Sequence, residues 1–150
     1  MWHYNVTGQA IEDVFSSLRT DKSRFAGYIS ATGSAGTIAA GDYLKSLHPG
    51  AKIVATEAIQ CPTLLMNGFG DHRIEGIGDK HVPWVHNVRN TDAVAAIDDE
   101  DCMRILRLFN EPEGQAYLAG LGVDQPTIEK LGLLGISGVC NMLAAFKMAK

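Results

Sequence analysis

What the chain lacks narrows it first. Its three cysteines, Cys61, Cys102 and Cys140, lie far apart with no Cys-x-x-Cys pair. That argues against a disulfide framework or a zinc site and for reduced thiols. No apolar run reaches the roughly 18 residues that span a bilayer, and no basic run stands out against a formal net charge of −4. Neither a membrane nor a nucleic-acid surface is therefore expected as a partner. The start, Met1-Trp2-His3-Tyr4-Asn5, has neither the basic nor the apolar region of a secretory leader, and the expected compartment is the cytoplasm. Internal repeats, low-complexity runs and linkers are also missing. The 150 residues read as one domain, long enough to bury a real core.

What is present is a succession of short apolar segments separated by turn signals. Thr7-Gly8-Gln9-Ala10 opens a segment with Ile11, Val14, Phe15 and Leu18 at helical spacing, so an amphipathic helix is predicted with Thr7 as its cap. After the polar turn Thr20-Asp21-Lys22-Ser23, Phe25-Ala26-Gly27-Tyr28-Ile29 reads as a buried strand. A helix is predicted from Thr37 to about Leu47, where His48-Pro49-Gly50 stops it, and Lys52 to Glu57 reads as a second strand. Strand, helix and strand in that order describe a right-handed βαβ unit of a parallel sheet. Cys61 to Met66 suggests a short helix. An irregular stretch follows from Asn67 to about Asn90, and a loop so long inside a compact domain is usually functional or mobile. Ala93 to Ile97 reads as a third strand, with Asp98 and Asp99 capping a helix that carries Met103, Ile105, Leu106, Leu108 and Phe109. Residues 112–132 hold two helical pieces broken by Gly120, Gly122 and Pro126. Leu133 to Ile136 is a strand candidate, and Ser137-Gly138 opens a last helix running to Lys150. The fold class expected is α/β, a three-layer αβα domain with a mainly parallel sheet.

The chemically suggestive stretch is Ser30-Ala31-Thr32-Gly33-Ser34-Ala35-Gly36-Thr37, between the first strand and its helix. Small side chains let backbone N–H groups converge on one point, and the positive end of the helix dipole faces the same point. Both favour a phosphate or another anion. The hydroxyls of Thr32, Ser34 and Thr37 add donors. Small residues also build ordinary strand-to-helix turns, and the local pattern leaves both readings open. Ligands of parallel sheets sit beyond the carboxyl ends of the strands, where this loop falls.

Three separated motifs then fall in the order of one family. Gly33-Ser34-Ala35-Gly36-Thr37 resembles the Gly-Thr-Gly-Gly-Thr phosphate cup of the cysteine synthase and cystathionine β-synthase family, pyridoxal-phosphate enzymes of the tryptophan-synthase-β fold. His72-Arg73-Ile74-Glu75-Gly76-Ile77-Gly78, followed by Val82-Pro83, resembles the family's His-Lys-Ile-Gln-Gly-Ile-Gly loop by the active-site mouth. Gly135-Ile136-Ser137-Gly138-Val139-Cys140-Asn141 is similar to its Gly-Ile-Ser-Ser-Gly segment, and Ser137 matches the Ser that bonds the pyridine nitrogen. His3-Tyr4-Asn5-Val6-Thr7-Gly8 resembles the segment entering this domain, so the resemblance covers nearly the whole chain.

The resemblance implies one half of the tryptophan-synthase-β-like fold. It implies the C-terminal part of a β-elimination or β-replacement enzyme of amino-acid metabolism, with pyridoxal 5'-phosphate as cofactor, an amino-acid substrate and a homodimeric parent. The cup is Gly33 to Thr37, the ring-nitrogen contact Ser137 and the active-site loop Gly76, Ile77 and Gly78. In the family the Schiff-base lysine lies in the N-terminal half, and none of the lysines here sits in a matching segment. That implies a fragment without turnover of its own. Ala35 stands for a family Gly, Gly138 for the second Ser and Val139 for the Gly that follows. The insert from Glu111 to Lys130 is also longer than in the simplest cysteine synthases. These departures imply a divergent branch and leave the substrate open.

Plainer readings stand beside these. Ser137 also reads as the cap of the last helix. His72, His81 and His86 fit no standard ligand spacing and read as surface or loop histidines rather than a metal set. The cysteines read as core fillers, and Trp2 and Trp84 as packing or interface residues. A rival from another class is a nicotinamide-dinucleotide-binding module, with Glu57 about 20 residues beyond the glycine loop, where a ribose-binding acid sits. The loop lacks the full Gly-x-Gly-x-x-Gly. A non-catalytic interaction domain, with Trp84 on its partner surface, is a third reading.

Overall fold

The structure, a computed structural model, describes residues 2–149. Its sheet has three parallel strands in the order β1-β2-β3: β1 (Gly27–Ala31), β2 (Lys52–Ala58) and β3 (Ala93–Ile97). Gly27 pairs with Lys52, and Val54 with Ala93. β2 is central and buried from Ile53 to Ala58, which explains its apolar run Ile53-Val54-Ala55, while the buried Thr56 and Glu57 are polar. Strand alternation sends Ile53 and Ala55 to one face and Val54 and Ala58 to the other. Against the first face lies α2 (Ala39–Leu47), itself covered by α1 (Gly8–Leu18). A short α3 (Thr63–Met66) follows β2. Against the second face, α7 (Ile136–Met148) touches all three strands and α4 (Asp99–Asn110) packs on α7. Outside them lie α5 (Pro112–Gly120) and α6 (Gln125–Leu131). This is the three-layer αβα arrangement with a parallel sheet that the sequence predicts. Cys61, Cys102 and Cys140 are all buried in the larger core cluster, with Ile74, Ile128 and Val139.

Several local expectations are corrected. β1 starts two residues later than predicted, because Phe25 leaves the sheet and stacks on the His48 ring at 4.8 Å. His48 Nε2 in turn meets Glu12 Oε2 at 2.6 Å, tying α1 to the end of α2. Thr7 is no cap: His3–Thr7 form a turn of π-helix running straight into α1, and the Thr7 hydroxyl meets His3 Nδ1 at 3.0 Å. Leu133 to Ile136 is not a strand. Gly132 and Leu133 turn out of α6 and Ile136 already begins α7, since four apolar residues carry no period that tells strand from helix. Pro126 starts α6 rather than breaking a helix, in the first turn where its missing N–H costs nothing. Asp98 does cap α4, accepting from Glu100 N at 2.9 Å. Ser137 does not cap α7, whose N-cap is Gly135. His86 is a loop histidine, as one of the two readings has it, but a buried one, its Nε2 2.9 Å from Thr91 Oγ1. Trp2 and Trp84 are exposed. The last residue of the predicted final helix, Lys150, lies outside the described residues. Among the described residues no single helix is long and apolar enough to cross a membrane.

Asp92 pins the entry of β3 to its neighbours. Its Oδ2 accepts from Ile53 N at 2.8 Å and from Lys45 Nζ at 2.7 Å. The backbone bond first, then Lys45, holds its carboxyl at about 2, against an ordinary 3.8. A depressed carboxyl stabilises the fold fully above its unfolded value, and that contribution is lost as pH falls through the folded one. Asp92→Asn keeps an oxygen for Ile53 N and loses the Lys45 pair, and is expected to cost about 1 kcal/mol at neutral pH. It should also flatten the loss of stability between roughly pH 4 and pH 2 in urea titrations. Equal acid slopes in the two proteins would refute this.

Candidate functional site

β1 ends at Ala31, and the chain turns through residues 32–38 before α2 begins at Ala39. Ala35 has φ of +61°, in the left-handed region that costs an L side chain about 1 kcal/mol or more. A Cβ on Gly33 would lie 3.2 Å from Gly78 N and 3.3 Å from Ile77 Cα. A Cβ on Gly36 would lie 3.1 Å from His3 Cδ2. Small residues at 33 and 36 are thus what let other segments approach the loop. Ile38 precedes α2 with no side-chain cap. Among the described residues, nothing accepts from the amides of Ser34, Ala35, Gly36, Thr37 and Ile38, whereas Ala39 N already bonds Gly36 O. Adjacent free donors at a helix start make an electropositive concavity suited to an anion.

The concavity is one wall of a cavity of about 300 Å³, the lower end of ligand-pocket sizes. Gly33, Ser34, Ala35, Gly36 and Thr37 line it, together with Glu75, Gly76 and Ile77, and Ser137 at the start of α7 lines the same cavity. Ser137 sits in the first turn of α7, exposed, its hydroxyl without a partner among the described residues. Gly78, the third residue of the predicted active-site loop, does not line the cavity. With φ of +83° it turns inward, donates its N–H to Thr32 O at 3.0 Å and lies against Cys61 and His72. That loop is therefore anchored. Ile74 is fully buried, and Arg73 N donates to Asp99 Oδ2 at 2.8 Å.

Some lining residues had no role on sequence. Tyr28 and Ser30 alternate along β1 on one side and brace the cup. Ser30 Oγ meets Thr37 Oγ1 at 2.9 Å, and Tyr28 OH donates to Thr37 O at 3.2 Å. Burial pushes the Tyr28 hydroxyl above its ordinary range, so it stays a donor. Asn141 lies one helical turn beyond Ser137 and its Oδ1 accepts from Ala31 N at 2.6 Å. Its spacing of four from Ser137 was the available signal. No lysine among the described residues lines the cavity.

Glu57 is elsewhere occupied. It is 2% exposed, and its two carboxylate oxygens accept from Leu64 N and Leu65 N, each at 2.9 Å. The acid on which a dinucleotide reading depends is engaged in holding the start of α3.

No protein-family model matches the chain. Cysteine synthase B of Campylobacter jejuni is 28% identical over 125 residues, covering 82% of this chain and 36% of that protein. Among solved structures, a hydrogen sulfide-producing enzyme from Fusobacterium nucleatum superposes with a TM-score of 0.73 at 27% identity, covering 97% of this chain and 38% of that one. O-acetylserine sulfhydrylase isoform 3 from Entamoeba histolytica gives 0.68 at 26%, covering 95% and 36%. The chain spans little more than a third of the length of these relatives. In sequence and in fold the chain is similar to proteins named cysteine synthase and to hydrogen sulfide-producing and O-acetylserine sulfhydrylase structures, with the tryptophan-synthase-β-like architecture.

Proposed function

We propose that this chain supplies the cofactor-phosphate side of a pyridoxal-phosphate-dependent β-elimination or β-replacement enzyme acting on an amino acid. The observation that carries the reading is that one cavity is lined both by the loop Ser34 to Thr37, whose amides are free among the described residues, and by Ser137, whose hydroxyl has no partner among them. The amides and the start of α2 hold the phosphate dianion, with the Ser34 and Thr37 hydroxyls beside them. Gly76 and Ile77 cover the ring, and Ser137 faces its nitrogen. Bound pyridoxal phosphate supplies the electron sink that labilises bonds at the α-carbon of an amino acid. A neutral hydroxyl at the nitrogen brings no counter-charge, so it tempers that sink. The lysine that carries the cofactor comes from polypeptide outside this chain, in a homodimeric parent, and the chain alone binds without turnover.

Pyridoxine 5'-phosphate tests this, because it keeps ring and phosphate but has no aldehyde to react with surface lysines. It is expected to raise the melting midpoint saturably, with inorganic phosphate competing. NAD at the same concentrations should leave the midpoint unchanged. A shift with NAD and none with pyridoxine 5'-phosphate would overturn the proposal. So would cysteine synthase turnover by the chain alone, for the part that assigns the lysine elsewhere.

A further inference from the structure

β1 is an edge strand, so half of its backbone groups face away from β2. Ala26 O and Thr32 N bond β2 residues, which by parallel alternation turns the amides of Gly27, Ile29 and Ala31 outward. Asn141 meets one of them, Ala31 N, at 2.6 Å. A backbone N–H only donates, so the Asn141 atom facing it is the carbonyl oxygen and the NH2 group is directed elsewhere. Among the described residues nothing accepts from that NH2 group, although Asn141 is partly buried and lines the cavity. Ser137, one turn away on the same helix face, lines it too.

We infer that Asn141 is a second ring-side contact in this cavity, its side-chain NH2 donating to a bound pyridine ring beside the Ser137 hydroxyl and favouring the ring with an unprotonated nitrogen. The inference rests on the function proposed above. Asn141 also ties α7 to the end of β1, which a purely structural role would explain, and the test has to separate the two.

Asn141→Asp keeps an oxygen for Ala31 N–H and replaces the two donors by an acceptor carrying charge. Asn141→Ala removes both contacts. The quantity to measure is the ratio of affinities for pyridoxine 5'-phosphate and inorganic phosphate, which cancels the phosphate cup. His3, Tyr28 and Glu75, the other titratable groups on the cavity, are common to all three proteins and cancel likewise. With the melting midpoint of Asn141→Asp close to that of the parent, the ratio is expected to fall about tenfold in both variants at about pH 10, where the ring nitrogen of pyridoxine 5'-phosphate is unprotonated. In Asn141→Asp alone it should recover as pH drops and the ring nitrogen gains a proton that the carboxylate accepts. An unchanged ratio at every pH in both variants would overturn the inference while leaving the phosphate cup standing. Failure of the unmodified chain to bind either ligand would overturn the underlying reading as well.

Discussion

Glu57→Ala is expected to lower the free energy of unfolding by about 3 kcal/mol. The side chain is almost wholly buried, and each of its oxygens accepts from an amide in the first turn of α3. A typical hydrogen bond contributes about 0.5–1.5 kcal/mol net, a buried amide left unpaired costs about 1–3 kcal/mol, and alanine removes both acceptors at once. Water recovers part of the loss, because Leu65 is half exposed. With only four residues, α3 cannot hold itself by its own backbone bonds. Its release would also free the chain between β2 and the cavity rim. Urea unfolding measures the effect. Glu57→Gln keeps one acceptor oxygen but turns an NH2 donor toward the other amide, and should recover only part of the loss. A change below about 1 kcal/mol for alanine would mean that something other than Glu57 holds α3 in place.

Ser34→Asp is expected to weaken binding of pyridoxine 5'-phosphate by about 100-fold or more without lowering the melting midpoint. Ser34 is exposed in the cup and makes no side-chain bond that the substitution would break. A carboxylate about 5 Å from a phosphate oxygen, at an effective dielectric of about 20, repels it by about 3 kcal/mol. Each 1.4 kcal/mol is tenfold in affinity. Salt screens an exposed pair, so the comparison belongs at low ionic strength. A loss smaller than about fivefold would remove the cup from the binding site.

The layers of this fold are readable from the chain because β2 carries the apolar run Ile53-Val54-Ala55 and helices alternate with strands on both sides of it. Boundaries are not. Phe25 is as apolar as a strand residue, and only its stacking on His48 takes it out of the sheet. Leu133 to Ile136 look the same whether they pair with a strand or open a helix. The site is legible where a motif is contiguous, as at Gly33 to Thr37 and at Gly76 and Ile77. It is not legible where the partner lies far along the chain. Asn141 acquires its role from Ala31, 110 residues earlier, and Gly78 drops out of the cavity wall because it bonds Thr32. Glu57 shows the limit most plainly. An acid at a strand end is the same letter whether it awaits a ribose or closes a helix, and only the two amides of Leu64 and Leu65 decide.

The bond from Gly78 to Thr32 links the two sides of the cleft to a single strand end. Thr32 leads directly into the anion loop, and Gly78 directly follows the rim residues Gly76 and Ile77. A displacement of that strand end therefore carries both sides in step, and the gap between them translates without widening. Asn141 fastens α7 to Ala31, the residue before Thr32, so all three sides of the cleft are referred to one strand end.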